Sequence, residues 1–113
     1  MAILDAKVKQ QIDLLHQRVC PALGDPKRLQ ILYALEPGPL CVNELAEALD
    51  LPQPTVSRHL RVLRERGLVN TERDGTTIYY SLTDRRLIQA VDLLRAVLEA
   101  QMAADVAVAK ALT

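Results

Sequence analysis

The chain has 113 residues, enough for one domain and too few for two. Half of it is hydrophobic, Phe and Trp are absent and Tyr occurs three times, so any core is aliphatic and the leucine- and alanine-rich composition favours helices over sheets. Fourteen basic residues balance fourteen acidic ones, which excludes a uniformly basic coat for nucleic acid but leaves a local basic face open.

From residue 3 to about residue 20, Ile3 or Leu4, Val8, Ile12, Leu15 and Val19 recur at steps of three and four, the period of an amphipathic helix. Pro21 and Gly24 end it. Asp25-Pro26 pairs a good N-cap with a residue suited to the first helical turn, and opens a second helix carrying Leu29, Leu32, Ala34 and Leu35. Pro37-Gly38-Pro39 stops that helix. A short third helix is expected from Asn43 to Leu49, with Asn43 as its N-cap and Glu44 at the positive end of its dipole. Leu51-Pro52-Gln53-Pro54 is a tight connector. A fourth helix then runs from Pro54 to about Arg66, with Gly67 at its stop. Its residues Val56, Leu60 and Leu63 form one apolar face, and Thr55, Ser57, Arg58, Arg61, Arg64 and Glu65 occupy the others. Residues 42–66 therefore have the pattern of a helix-turn-helix.

After Gly67 the pattern changes. Leu68–Arg73 and Thr76–Leu82 flank Asp74-Gly75, which predicts a hairpin over 68–82 closed by a type I′ turn. A two-stranded hairpin does not stand alone in water, but packed on a helix-turn-helix it becomes a wing. Thr83-Asp84 caps a last helix with Leu87, Val91, Leu94, Leu98 and Met102 on one stripe, widened by Leu93 and Val97. Its Ala-rich tail after Ala103 is expected to fray. The fold class is α+β, mostly helical: a single winged helix-turn-helix domain over residues 1–113. Helices 1–20 and 84–110 carry apolar stripes that a small core has little room to cover, and they are assigned to a homodimer interface.

No apolar run reaches the ~18 residues that span a bilayer, and the amino terminus lacks a signal-peptide core. With two cysteines and no secretory signal, the expectation is a cytoplasmic protein with reduced thiols and no membrane partner.

Charge is polarised along the chain. Residues 51–80 hold five arginines against three acids, a local +2, whereas residues 36–50 hold four acids and no base. Recognition helices meet base edges with their amino-terminal residues. Arg58 suits a guanine and Gln53 an adenine, while Thr55, Ser57 and Arg61 are assigned to phosphates. Arg73, beside the hairpin tip, reaches a phosphate or the minor groove. His59 either touches DNA or hydrogen-bonds within the fold. An arginine face on a short helix is also what a solvated surface looks like, and it is the neighbouring turn and wing that favour DNA.

These motifs resemble the ArsR/SmtB family of small bacterial winged-helix repressors. The matching stretches are Ala22–Leu32, Leu40–Ala46, Gln53–Leu63, Gly67–Val69, Arg73–Gly75 and Tyr79–Leu82, in that order over roughly residues 20–82. The resemblance implies a homodimer joined through its first and last helices. It further implies binding to an inverted-repeat operator in double-stranded DNA without any cofactor, and release by a metal ion, a metalloid or a thiol-reactive signal. Thiolate metal sites of the family carry Cys-Val-Cys at the start of the third helix, where this chain reads Cys41-Val42-Asn43. Other ligands are then needed, and the first helix can supply Cys20 and, as a lesser candidate that reads rather as surface, His16, of the same or the partner subunit. The family's site on the last helix uses Asp and His. Asp84 is present here, but that helix has no His.

Three readings of Cys20 and Cys41 follow: a site for a soft divalent metal or for As(III)/Sb(III), placed first; a thiol-redox or persulfide switch; and two small buried hydrophobes. Cys41 matches a ligand position of the family, whereas Cys20 on its own reads as structural. An enzyme is not expected, since no phosphate loop, nucleophile elbow or carboxylate pair occurs. The rival of another class is a winged helix serving only as a protein-interaction module.

Overall fold

The computed structural model describes residues 3–113. Met1 and Ala2, which open the expected first helix, lie outside the described residues. In chain order the elements are α1 (Ala6–Arg18), α2 (Cys20–Leu23), α3 (Pro26–Ala34), β1 (Leu40–Cys41) and α4 (Val42–Leu49). They continue with α5 (Gln53–Glu65), β2 (Val69–Asp74), β3 (Thr77–Leu82) and α6 (Arg86–Leu112). The chain forms two compact units, one reaching to Thr83 and the other Asp84–Thr113.

In the first unit, capping follows the local sequence. Asp5 caps α1 by accepting from Lys7 N–H at 2.7 Å, and Asp25 caps α3 by accepting from Lys27 N–H at 2.8 Å. The first helix is shorter than its periodicity predicts. Ile3 and Leu4 precede it, and it stops at Arg18, with Cys20–Leu23 forming a separate turn of helix. The cause is Pro21, which has no N–H to give to the carbonyl four residues back. That carbonyl, on Gln17, accepts instead from Arg66 Nη1 at 2.9 Å.

The core of this unit is aliphatic. Ile31, Leu32 and Leu35 of the α3 region meet Leu45 of α4 and Val56, Leu60 and Leu63 of α5, all within 2% of full burial. Leu68 and Val69 continue it into the hairpin. α4 ends on Asp50 in the left-handed region (φ 53), with Leu51 N–H bonded back to Ala46 O at 3.0 Å. α5 ends in the same way on Gly67 (φ 76), where Leu68 N–H bonds Leu63 O at 2.9 Å. Thr83 then fastens the base of the hairpin to this corner, donating its hydroxyl to Gly67 O and its N–H to Leu68 O.

Three details differ from the sequence expectations. β2 and β3 pair from Val69↔Leu82 to Asp74↔Thr77, so the two loop residues are Gly75 and Thr76 rather than Asp74 and Gly75. Positive φ falls on Gly75 (63°) and not on Thr76, the pattern of a II′ rather than a I′ turn. A further strand, β1, pairs antiparallel with β3 through Leu40↔Tyr80 and Cys41↔Tyr79, making a three-stranded sheet of order β1-β3-β2. Because Cys41 is drawn into this sheet, the cap of α4 falls two residues earlier than expected. The N-cap is Cys41, and Asn43 lies within the first turn.

In the second unit, α6 runs 27 residues, about 40 Å at 1.5 Å per residue, and continues through the Ala-rich segment to Leu112 instead of fraying. Alanine is the best helix former, and that property carries the tail. Asp84 starts the helix, accepting from Arg86 N–H at 2.9 Å. No helix among the described residues is long and apolar enough to cross a membrane.

Candidate nucleic-acid interface

α5 owes its two faces to a four-residue inward set. Val56, His59, Leu60 and Leu63 sit at i, i+3, i+4 and i+7, and all are buried. What remains points outward: Gln53, Ser57, Arg58, Arg61 and Arg64 are exposed and Thr55 is half-buried. Arg61 bridges to Glu65 at 3.2 Å one turn on, an exposed pair of little energetic weight. Arg73 is exposed near the end of β2, two residues before Gly75.

α4, α5 and the hairpin enclose an open cleft of about 330 Å³, lined among others by Cys41, Asn43, Ser57, Thr76, Thr77 and Tyr80. Hydroxyls and an amide from three elements thus line one opening next to the outward face of α5.

His59 is placed inside the fold. It is 9% exposed, and its Nδ1 lies 3.3 Å from Arg28 Nη1. A guanidinium only donates, so Nδ1 accepts and the ring is the neutral tautomer with its proton on Nε2. Burial pushes the His59 pKa below the ordinary histidine value. The Asp25 carboxylate opposes that shift, while Arg28, Arg58 and Lys27 add to it. Arg28 also donates through Nε to Ala22 O at 2.7 Å and through Nη2 to Pro21 O at 3.0 Å, satisfying carbonyls of the short α2. Sequence reading gave Arg28 no role and left His59 open, although the spacing of His59 from Val56, Leu60 and Leu63 already places it on the inward stripe.

The candidate metal donors are dispersed. His16 is exposed on α1 and Cys20 exposed on α2, so the two do not share a single continuous helix. Cys41 is half-buried at the N-cap of α4, where its N–H donates to Glu44 Oε1 at 3.1 Å and its thiol bonds the same carboxylate. Those bonds, the backbone one foremost, lower the Glu44 pKa. Among the described residues, no three His, Cys, Asp or Glu side chains stand together in a way that holds a metal ion. A site made of His16, Cys20 and Cys41 is therefore not assembled within one chain. On the last helix Asp84 is engaged by Arg86, whose Nη2 lies 2.6 Å from Oδ2, and this pairing holds the Asp84 pKa at about 2.

Comparison with known proteins supplies the context. The sequence model of bacterial regulatory proteins of the arsR family matches residues 25–71. The chain is 51% identical over 71 residues to the HTH-type transcriptional regulator NmtR of Mycobacterium tuberculosis, a match covering 63% of this chain and 59% of that one. Among solved structures, NolR from Sinorhizobium fredii superposes with a TM-score of 0.70 at 32% identity, covering 86% of this chain and 96% of NolR. The homodimeric winged helix-turn-helix DNA-binding domain of a possible ArsR-family regulator from Mycobacterium bovis gives 0.72 at 30% identity, covering 90% and 94%.

Proposed function

For a chain that belongs to the arsR family of winged-helix, DNA-binding transcriptional regulators, we propose a homodimeric repressor that reads an inverted repeat and is released by a thiol-directed inducer. The observation that carries the DNA reading is the division of α5. Its apolar stripe is consumed by the core, and Gln53, Ser57 and Arg58 are left exposed beside a wing that carries Arg73. Arg58 and Gln53 read bases, Thr55, Ser57 and Arg61 hold phosphates, and Arg73 serves the flanking backbone or minor groove. His59 acts from inside. Dimerisation is supported by the apolar stripes of α1 and α6 and by the homodimeric state named for the M. bovis relative.

For sensing we place Cys41 first, because it lines the same cleft as Ser57 and the wing threonines. The donors of one chain do not fit a soft metal or metalloid, so such an ion requires donors from a second copy beside Cys41. A thiol-redox or persulfide signal at Cys41 is the second reading. The test is fluorescence anisotropy of the reduced protein on the inverted repeat upstream of its own gene. Binding should weaken steeply with salt and prefer half-sites about 34 Å apart or a multiple of that spacing. Arg58→Ala should erase the preference over random duplex, while Arg73→Ala weakens both duplexes alike. Release by stoichiometric arsenite that is lost in Cys41→Ser supports the metalloid, and release only by oxidant or persulfide supports the switch. Absence of tight binding to any duplex would leave the winged helix as a protein-interaction module.

A further inference from the structure

We propose that Arg28 is a positioning residue for DNA binding: anchored on the α2 carbonyls, its guanidinium holds the His59 ring and with it α5, and protonation of His59 releases the helix. The proposal rests on the DNA-binding reading above. Arg28 stands on α3 and reaches both ways, to Ala22 O and Pro21 O on one side and to His59 Nδ1, 31 residues away, on the other. His59 is the one polar side chain buried among the described residues, and it lies in the chain next to Arg58 and two residues from Ser57. A shift of the ring therefore moves the backbone that aims both outward side chains.

The contact exists in one protonation state only. Neutral imidazole offers Nδ1 as an acceptor, whereas imidazolium carries a proton on both nitrogens. Protonation replaces a hydrogen bond by two cations 3.3 Å apart at a position that is 9% exposed. Lys27 and Arg58 add to the repulsion. The Asp25 carboxylate opposes it and is the largest single charge effect on the ring, but burial outweighs it. α4 and β2 also pack on α5, and their buried residues, Leu45, Ala46 and Val69, are apolar. Burial sets the sign of the pH dependence. With the folded pKa pushed below 6.5, the pairing is complete above pH 6.5 and is lost as pH falls through the folded value. Acidification otherwise adds positive charge and strengthens phosphate binding, so a loss of affinity toward low pH runs against the general trend.

The test measures affinity for the fluorescein-labelled inverted repeat at fixed salt between pH 7.5 and 5.5, using the full chain. The wild type should weaken across that range by less than about tenfold, the ceiling that linkage sets at pH 5.5 for a group whose folded pKa lies below 6.5. His59→Asn keeps an amide oxygen at the Nδ1 position for Arg28 and does not titrate. It should stay within about threefold of wild type at pH 7.5 and show no acid limb. An NMR titration of the wild type without DNA runs in parallel, and the Ser57 and Arg58 amide shifts should follow the His59 midpoint. An unchanged acid limb in His59→Asn, or amides of α5 that ignore the His59 titration, overturns the proposal. If the wild type binds no duplex at any pH, the DNA reading falls, and the NMR titration alone decides whether the pair positions α5.

Discussion

The three helices around the helix-turn-helix and the two terminal helices are written in the same aliphatic alphabet, yet they bury it to very different extents. α3, α4 and α5 bury their large apolar residues within the chain, Leu32, Leu45, Leu60 and Leu63 almost completely. α1 buries none of its residues, and α6 leaves Leu94 67% and Leu98 53% exposed. Composition therefore does not set burial; the number of faces an element must satisfy does. A helix within a trio finds cover on its own chain. Most large apolar residues along the 27-residue α6 stay exposed, and that stripe is available to a second copy.

The largest effect that tests this contrast is a core truncation. Leu60→Ala should cost about 2–5 kcal/mol in urea unfolding, independent of protein concentration, because the surrounding helices cannot close the cavity. Leu94→Ala should leave the unfolding of the isolated chain nearly unchanged and alter only its concentration dependence. Equal, concentration-independent losses for both would erase the distinction between the regions.

Next in size is the charged version on the exposed stripe. Leu94→Glu combined with Leu98→Glu places two carboxylates where a second copy is expected to seat. Sedimentation velocity should show the dimer weakened by about a hundredfold or more, with helical circular dichroism retained. Loss of helix instead of dimer would mean that the stripe serves the fold of its own chain.

The same contrast explains what was legible beforehand. Signals that act over a turn or less came through: Asp25-Pro26 at the start of α3, Gly67 at the end of α5, and the apolar stripe that leaves Gln53, Ser57 and Arg58 outside. Features that depend on residues distant in sequence did not. β1 is two residues long and exists because Tyr79 and Tyr80 pair with it. Arg28 finds its role through His59 and two carbonyls that no local pattern links to it. Pro21 was visible as a helix end, but it acts through the missing bond to Gln17 O, so the break falls earlier than the proline itself. The metal reading was the least legible of all, since three donors in a sequence say nothing about whether they meet. In one chain they do not.

A smaller effect sharpens the view of the compact region. Asp50 adopts φ 53 at the end of α4, a conformation that disfavours a side chain, and its carboxylate sits at the negative end of the helix. Asp50→Gly removes both penalties and should raise stability by about 0.5–1 kcal/mol without moving the turn. A loss of stability would show that the Asp50 side chain contributes something the backbone geometry does not reveal.

The smallest expected effect lies at the start of α6, where an exposed pair stands in for packing. The Arg86 guanidinium and N–H hold Asp84 at about 2, against 3.8 for a free aspartate. The sign follows from that lowering: the contribution of the pair is complete above pH 3.8 and disappears as pH falls through 2. Both partners are open to solvent, so screening keeps the effect small and salt weakens it further. Asp84→Asn should lower the melting temperature slightly at pH 6 and much less near pH 2, and 1 M salt should narrow the difference at pH 6. A difference that persists unchanged at pH 2 would show that the cap, which an asparagine preserves only in part, rather than the charge, starts this helix.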